Sequence, residues 1–351
     1  MVFASHAFHA PLMWMGVDLF FVLSGYLITN VLLQLKENRA LGENYWGPFY
    51  LRRVRRIVPP YAVFLLFAAL MFPVPWRHTW YWYVFPGANF PLAFGMTMVA
   101  AMTPLWSLAV EEQFYLLWPW FVLATSRQTL RRLAIAIVFV SPILRAVCTP
   151  LFSNHFPIYS LTIFRADTLA MGAAVALSTG SSPHYRVAAS RSFLLAGVAL
   201  VVFSFFPSFR TGANSIFFNS VGYSLSAILF GSALVYVLGA ARGLVYRTLT
   251  MRPLRYLGLI SYTFYLYHEA IILKIGEHLH SGLGIAVAAF AITTAIAAVS
   301  WHVMEAPLLR SSKKHLLPAP ASKWIFAHGL TPHNIAAETA VPKLREPKLS
   351  M

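Results

Sequence analysis

SHAFHAPLMWMGVDLFFVLSGYLIT, residues Ser5–Thr29, decides the class of fold. From Pro11 to Gln34 the chain carries a single charged residue, Asp18. An apolar run of about 20 residues is long enough to cross a bilayer as a helix. An acid within such a run costs roughly 2.5–3.5 kcal/mol to insert, so it needs a reason to be there. Two histidines, His6 and His9, stand at the mouth of the run. A base, a carboxylate and a membrane segment therefore open the chain together.

The rest of the chain repeats the pattern. Of 351 residues, 58% are hydrophobic and 11% charged, against about a quarter charged in a soluble domain. Apolar runs are read at 11–34, 59–75, 104–124, 134–150, 158–178, 193–208, 216–240, 256–275 and 284–304. They are continuous rather than alternating, which excludes a membrane β-barrel. The sequence predicts an all-α polytopic membrane protein. It has about nine complete transmembrane helices, an N-terminal remnant before the first of them, and a re-entrant or interfacial segment at 79–101. That last segment is aromatic but broken by Pro86, Gly87 and Pro91. The single cysteine, Cys148, allows no internal disulfide and no cysteine-based metal site. No metal-ligand spacing is found, and His278 and His280 read as solvated loop residues.

Charge orients the bundle. The connections 36–58, 125–133, 179–192 and 241–255, with the tail from Glu305, hold 22 of the 27 Lys and Arg residues. The opposite connections hold Arg77 and Arg210. This asymmetry places the basic set and the C-terminus in the cytoplasm. It also accounts for the formal charge of +16 without nucleic acid. Residues 1–310 read as one membrane domain. Residues 311–351, with Pro318, Pro320, Pro332, Pro342 and Pro347, read as a weakly ordered cytoplasmic tail.

With that orientation, the intramembrane charges fall at one depth. Asp18, Glu111, Glu112, Arg145, Arg165, Asp167, His268 and Glu269 all lie in the outer halves of their runs, near His6 and His9. Convergence on one polar cavity is expected, with a histidine as general base and a carboxylate to orient it. On the inner side, FYLRRVRRIVPPY (Phe49–Tyr61) sets Arg52, Arg53, Arg55 and Arg56 before two prolines. Guanidinium forks bind phosphate with two oxygens at once. A phosphate-bearing donor is expected there, with Pro59 and Pro60 starting the helix that follows.

Six blocks, in order, resemble the acyltransferase-3 family of bacterial integral-membrane O-acyltransferases. They are GVDLFFVLSGYLIT (Gly16–Thr29), FYLRRVRRIVPPY, TPLWSLAVEEQFYLLWP (Thr103–Pro119), FRADTLAMGA (Phe164–Ala173), SYTFYLYHEAI (Ser261–Ile271) and MEAPLLR (Met304–Arg310). The resemblance covers roughly residues 5–310. It implies transfer of an acyl group, by default acetyl, from cytoplasmic acyl-CoA to a hydroxyl of a cell-envelope or exported glycan. It places the protein in the bacterial inner membrane, with no permanently bound cofactor. The family's catalytic histidine matches His6, with His9 next. Its other positions match Glu111, His268, Ser24 and the arginines Arg52, Arg53 and Arg56. Relatives normally carry a whole membrane helix before that histidine, whereas five residues precede His6 here. The chain is therefore expected to lack the first helix.

In the expected mechanism the histidine takes a hydroxyl proton, the oxygen attacks the thioester, and a donor steadies the oxyanion. Arg165 and Arg145 are both candidates for that donor. Asp18 would orient the base or satisfy a polar cavity, and Asp167 would line the site. Direct transfer needs no protein nucleophile. An acyl-Ser24 intermediate is the alternative, for which the sequence identifies no adjacent base. Two other functions compete: a transporter or flippase of a glycan or lipid-linked substrate, since charged residues in helices also mark transport paths, and an inactive truncated family member.

Overall fold

Lipid offers no water to the backbone, so apolar runs must satisfy their own amides and carbonyls as helices. The computed structural model describes residues 1–8, 10, 12–178, 183–209, 214–239, 243–279 and 281–311, leaving aside the side chains of 183–186 and 311. The proline-containing tail at 312–351 lies outside the described residues. Among the described residues all regular structure is helical.

A short helix α1 (Val2–Phe8) leads into α2 (Gly16–Ala40) and α3 (Trp46–Met71). Two short pieces follow, α4 (Trp76–Val84) and α5 (Asn89–Ala93), then α6 (Leu105–Ala124) and α7 (Arg127–Cys148). Next come α8 (Phe156–Ser160), α9 (Thr162–Ser178), α10 (Pro183–Ser204) and α11 (Tyr223–Gly239). The chain continues through α12 (Leu244–Leu249), α13 (Arg252–Gly276), α14 (Gly282–Ser300) and α15 (Ala306–Ser311). One wide turn, Phe218–Gly222, precedes α11, and another, Trp301–Glu305, joins α14 to α15.

The nine apolar runs become the nine long helices α2, α3, α6, α7, α9, α10, α11, α13 and α14 among the described residues. Seven of these segments are long and apolar enough to cross a membrane. The other two, α6 and α13, carry Glu111, Glu112, His268 and Glu269, which lower their hydropathy. Large apolar side chains such as Leu66, Leu70, Leu117, Phe139, Ile143 and Leu195 face outward, as lipid contact requires. The segment 79–101 makes short helices of nine and five residues at most, as its prolines predict. Gln113 on α6 pins it by donating to the Pro86 carbonyl at 2.6 Å and to Asn89 Oδ1 at 3.0 Å.

One sequence expectation fails. Pro59 and Pro60 do not start a helix but sit inside α3, which begins at Trp46. The four arginines therefore ride on the first turns of α3 rather than in a loop. The prolines withdraw the amide donors that the Arg55 and Arg56 carbonyls would otherwise receive.

The tightest seam joins α2 to α9. A Cβ on Gly25 would stand 1.9 Å from the Leu169 carbonyl oxygen, and one on Gly172 would stand 2.0 Å from that of Val22. The two backbones touch because these positions have no side chain. Without a hydrophobic force between helices in lipid, such close approach is what holds them. At the far end of the chain, the acid of MEAPLLR is a tie: buried Glu305 accepts from Thr263 Oγ1 at 2.8 Å and from Ser300 Oγ at 3.0 Å.

Candidate active site

Helix α6 organises the site. Ser107, Glu111 and Tyr115 recur every fourth residue, so they share one face of the helix. Glu111 accepts a hydrogen bond from Ser24 Oγ on α2. Ser24 Oγ also lies 2.6 Å from the Tyr115 hydroxyl. Pro119 leaves the Tyr115 carbonyl without its helical donor, and Tyr50 OH reaches that carbonyl at 3.4 Å. Ser24 and Glu111 are both buried, at 6% and 5% exposure.

From Tyr115 the polar face leads to the basic end of the bundle. The Arg53 guanidinium lies 5.0 Å from the Tyr115 ring and 3.7 Å from that of Phe49. Its Nη1 donates to the Phe49 carbonyl at 3.2 Å, while its Nε is buried without a partner. Arg52 is half-buried and Arg56 exposed, so the cluster presents both embedded and accessible guanidinium groups.

The same face leads the other way to the histidines. Ser107 Oγ lies 2.6 Å from the Tyr265 hydroxyl on α13, and both donate to the Pro104 carbonyl, at 3.0 and 3.1 Å. The Tyr265 ring lies 5.3 Å from that of His268, and His268 lies edge-on to His6 at 5.1 Å. His6 Nδ1 meets the Glu269 carboxylate, which leaves Nε2 as the ring atom free to accept a proton. His6 is partly exposed, whereas His268 is buried. His268 lies sixteen residues into α13, about 24 Å along its axis at 1.5 Å per residue. Arg53, Tyr115, Ser24, Glu111, Ser107, Tyr265, His268 and His6 thus form one polar column from the basic end to the opposite side.

Four of the remaining intramembrane charges form two fully buried pairs beside it. Arg165 pairs with Asp18, joining α9 to α2 across the glycine seam. Arg145 pairs with Asp167 at 2.7 Å, joining α7 to α9. Arg165 and Asp167, two positions apart, point to different partners, as helical geometry requires. Arg145 is fully committed: it also donates to the carbonyls of Asn219, at 2.6 Å, and Phe164, and to Ser224 Oγ at 2.7 Å. Arg165 is not. Its Nε and Nη1 are buried without partners, and its guanidinium stands 4.0 Å from the Tyr223 ring. Of the two candidate oxyanion donors, Arg165 therefore has N–H groups to spare.

The structure brings His6, His268, Glu111, Ser24 and Arg53 into the column. Asp18 faces Arg165 rather than a histidine, so the carboxylate that meets His6 is Glu269. Sequence reasoning placed Glu269 at the right depth but gave it no role. Its adjacency to His268 is the signal that was present. Glu111 also supplies the carboxylate beside Ser24 that the sequence did not identify. Asp167 is a pairing residue with Arg145. His9 lies outside the described residues.

Residues 1–302 match the family described as an acyltransferase domain. The peptidoglycan O-acetyltransferase OatA of Listeria monocytogenes is 27% identical, the alignment covering 88% of this chain and 54% of that protein. The putative peptidoglycan O-acetyltransferase YrhL of Bacillus subtilis is 28% identical over 84% of this chain and 50% of its own. The O-acetyltransferase OatA of Staphylococcus aureus is 25% identical over 90% and 55%. The chain spans about half the length of the curated relatives it matches. No solved structure matches it.

Proposed function

The chain belongs to the acyltransferase family, and from that premise we propose that it moves an acetyl group from cytoplasmic acetyl-CoA to a hydroxyl of a cell-wall glycan. The observation that carries the reading is the polar column. It joins an arginine cluster at one end of the bundle to a pair of histidines at the other. The acceptor class follows from the relatives, whose names assign them O-acetylation of peptidoglycan.

In this reading Arg52, Arg53 and Arg56 hold the donor's phosphates, and the acyl arm lies along the α6 face. His6 Nε2 takes the proton of the acceptor hydroxyl while Glu269 holds the imidazolium that forms. The acceptor oxygen attacks the thioester carbonyl, the C–S bond breaks, and the thiolate leaves to be protonated. Arg165 is the donor with free N–H groups for the oxyanion.

A second reading draws on the Ser24–Glu111 contact. Ser24 Oγ would lose its proton to Glu111, attack the thioester and release the thiol, leaving an ester on Ser24 for the acceptor to take. Direct transfer is favoured because no contact joins Ser24 to His6. The test is thiol release by the purified protein in detergent, with acetyl-CoA and a muropeptide or glycan acceptor. Acceptor-dependent release with ester formation supports acyl transfer. Gradient-driven movement of the glycan without thiol release would favour the transporter. Mass spectrometry of the Ser24 peptide separates the two chemical routes, since the covalent route leaves an acetyl adduct.

A further inference from the structure

The histidine cluster contains more than one base needs. His268 Nδ1 lies 2.6 Å from the Tyr265 carbonyl, so it donates there and leaves its lone pair on Nε2. That Nε2 is buried and has no hydrogen-bond partner. A buried acceptor left unsatisfied is unfavourable and calls for an explanation. One ligand atom from each of His6, His268 and Glu269 lies within 4.8 Å of the other two.

This donor set has a specific chemistry. Two imidazoles and one carboxylate make the three-ligand zinc site that leaves a fourth position open. Imidazole selects transition metals over calcium or magnesium. A backbone carbonyl on the second ring nitrogen, as Tyr265 provides for His268, is the outer support that metal-bound histidines characteristically have. Zinc held at about 2.0–2.1 Å from each ligand requires these side chains to adjust on binding, and of the two histidines His6 is the partly exposed one. The ligands come from opposite ends of the chain, α1 and α13, so no spacing in the sequence reveals them.

We propose that His6, His268 and Glu269 bind one divalent transition-metal ion of the zinc class, and that metal occupancy and acyl transfer exclude each other. The exclusion follows from the ring. A metal on His6 Nδ1 displaces its proton and leaves the proton of the neutral imidazole on Nε2, the atom that must accept from the acceptor hydroxyl. Glu269 is likewise withdrawn from its role. The binding site stands on geometry alone, whereas the exclusion rests on the proposed acyl transfer.

The test uses the full chain in detergent, stripped with EDTA and titrated with Zn²⁺ by calorimetry and with Co²⁺ by absorption. The expected result is one equivalent bound, with the intense visible bands of four-coordinate cobalt. Loss of a ligand should weaken binding at least tenfold in His268→Ala and in the isosteric Glu269→Gln. His278→Ala, at an exposed position, should bind as the native chain does. Size-exclusion retention identifies variants that remain folded. No stoichiometric binding by the folded native chain, or equal binding by Glu269→Gln, overturns the site. Thiol release that falls in step with zinc occupancy and returns with EDTA supports the exclusion, and turnover that zinc leaves unchanged or raises overturns it. Stoichiometric binding by a protein that releases no thiol under any condition sustains the site and counts against the acyl-transfer reading.

Discussion

Gly172→Ala tests the seam on which the site is hung. The added methyl would stand 2.0 Å from the Val22 carbonyl oxygen and 2.7 Å from the Tyr26 amide nitrogen. Both obstacles are backbone, so neither can swing aside. Real Cβ atoms essentially never come within 3.0 Å of such atoms, so α2 and α9 must part by about 1 Å. A gap of 0.5–1 Å forfeits roughly a quarter to a half of each dispersion contact, here along Val22, Leu169, Ala170 and Ala173. Overpacking of this kind costs about 1–3 kcal/mol. The Asp18–Arg165 pair crosses the same seam, so we expect the upper end, about 3 kcal/mol. The assay is equilibrium unfolding in mixed micelles of detergent and SDS, followed by tryptophan fluorescence. Gly258→Ala is the control, because a Cβ there meets nothing within 4 Å. It should be neutral or stabilising by up to about 1 kcal/mol. Gly25→Ala combined with Gly172→Ala should cost less than the sum, since one opening relieves both clashes. A Gly172→Ala protein as stable as Gly258→Ala would refute the backbone contact.

Three further outcomes are expected. Asp18→Asn strands the Arg165 charge and should cost about 3–5 kcal/mol in the same unfolding assay, whereas Asp18→Leu with Arg165→Leu should cost less than Asp18→Asn alone. His6→Ala should lower the rate of acetyl transfer by about 10²–10⁴-fold, and Glu269→Gln by a smaller factor, both read as ester formed per unit time at saturating acetyl-CoA. Arg53→Ala should raise KM for acetyl-CoA about tenfold or more, the worth of one charge-assisted hydrogen bond. Its kcat should stay unchanged if Arg53 binds the donor equally in ground and transition states.

The helices were legible because lipid permits so little else. A continuous apolar run leaves no choice of secondary structure, and all nine runs became long helices. The start of α3 was misread because a proline pair ordinarily marks a helix start, while here flanking apolar contacts carry the helix through it. The column was half legible. Ser107, Glu111 and Tyr115 have helical spacing that any reader of the sequence can find, but their partners Tyr265 and Ser24 come from other helices. The pairing of Asp18 with Arg165 rather than with a histidine depends on which faces of α2 and α9 meet. That choice is made by Gly25 and Gly172, and a glycine announces close approach without saying to what. Glu269 is legible in depth but not in role, because its partner, His6, arrives from a distant part of the chain.

The Asp18–Arg165 pair also sets a timetable for biogenesis. The two residues are 147 positions apart, and ribosomes add about 5–20 residues per second. On that scale α2 is made roughly 7–30 s before the helix that carries its counter-charge. Insertion of α2 must therefore be carried by its own apolar residues, with Asp18 on board and Arg165 not yet made. The unbroken run Leu19–Leu23, beside Asp18, supplies that margin, so polar substitutions there should reduce the yield of inserted protein before they touch its activity.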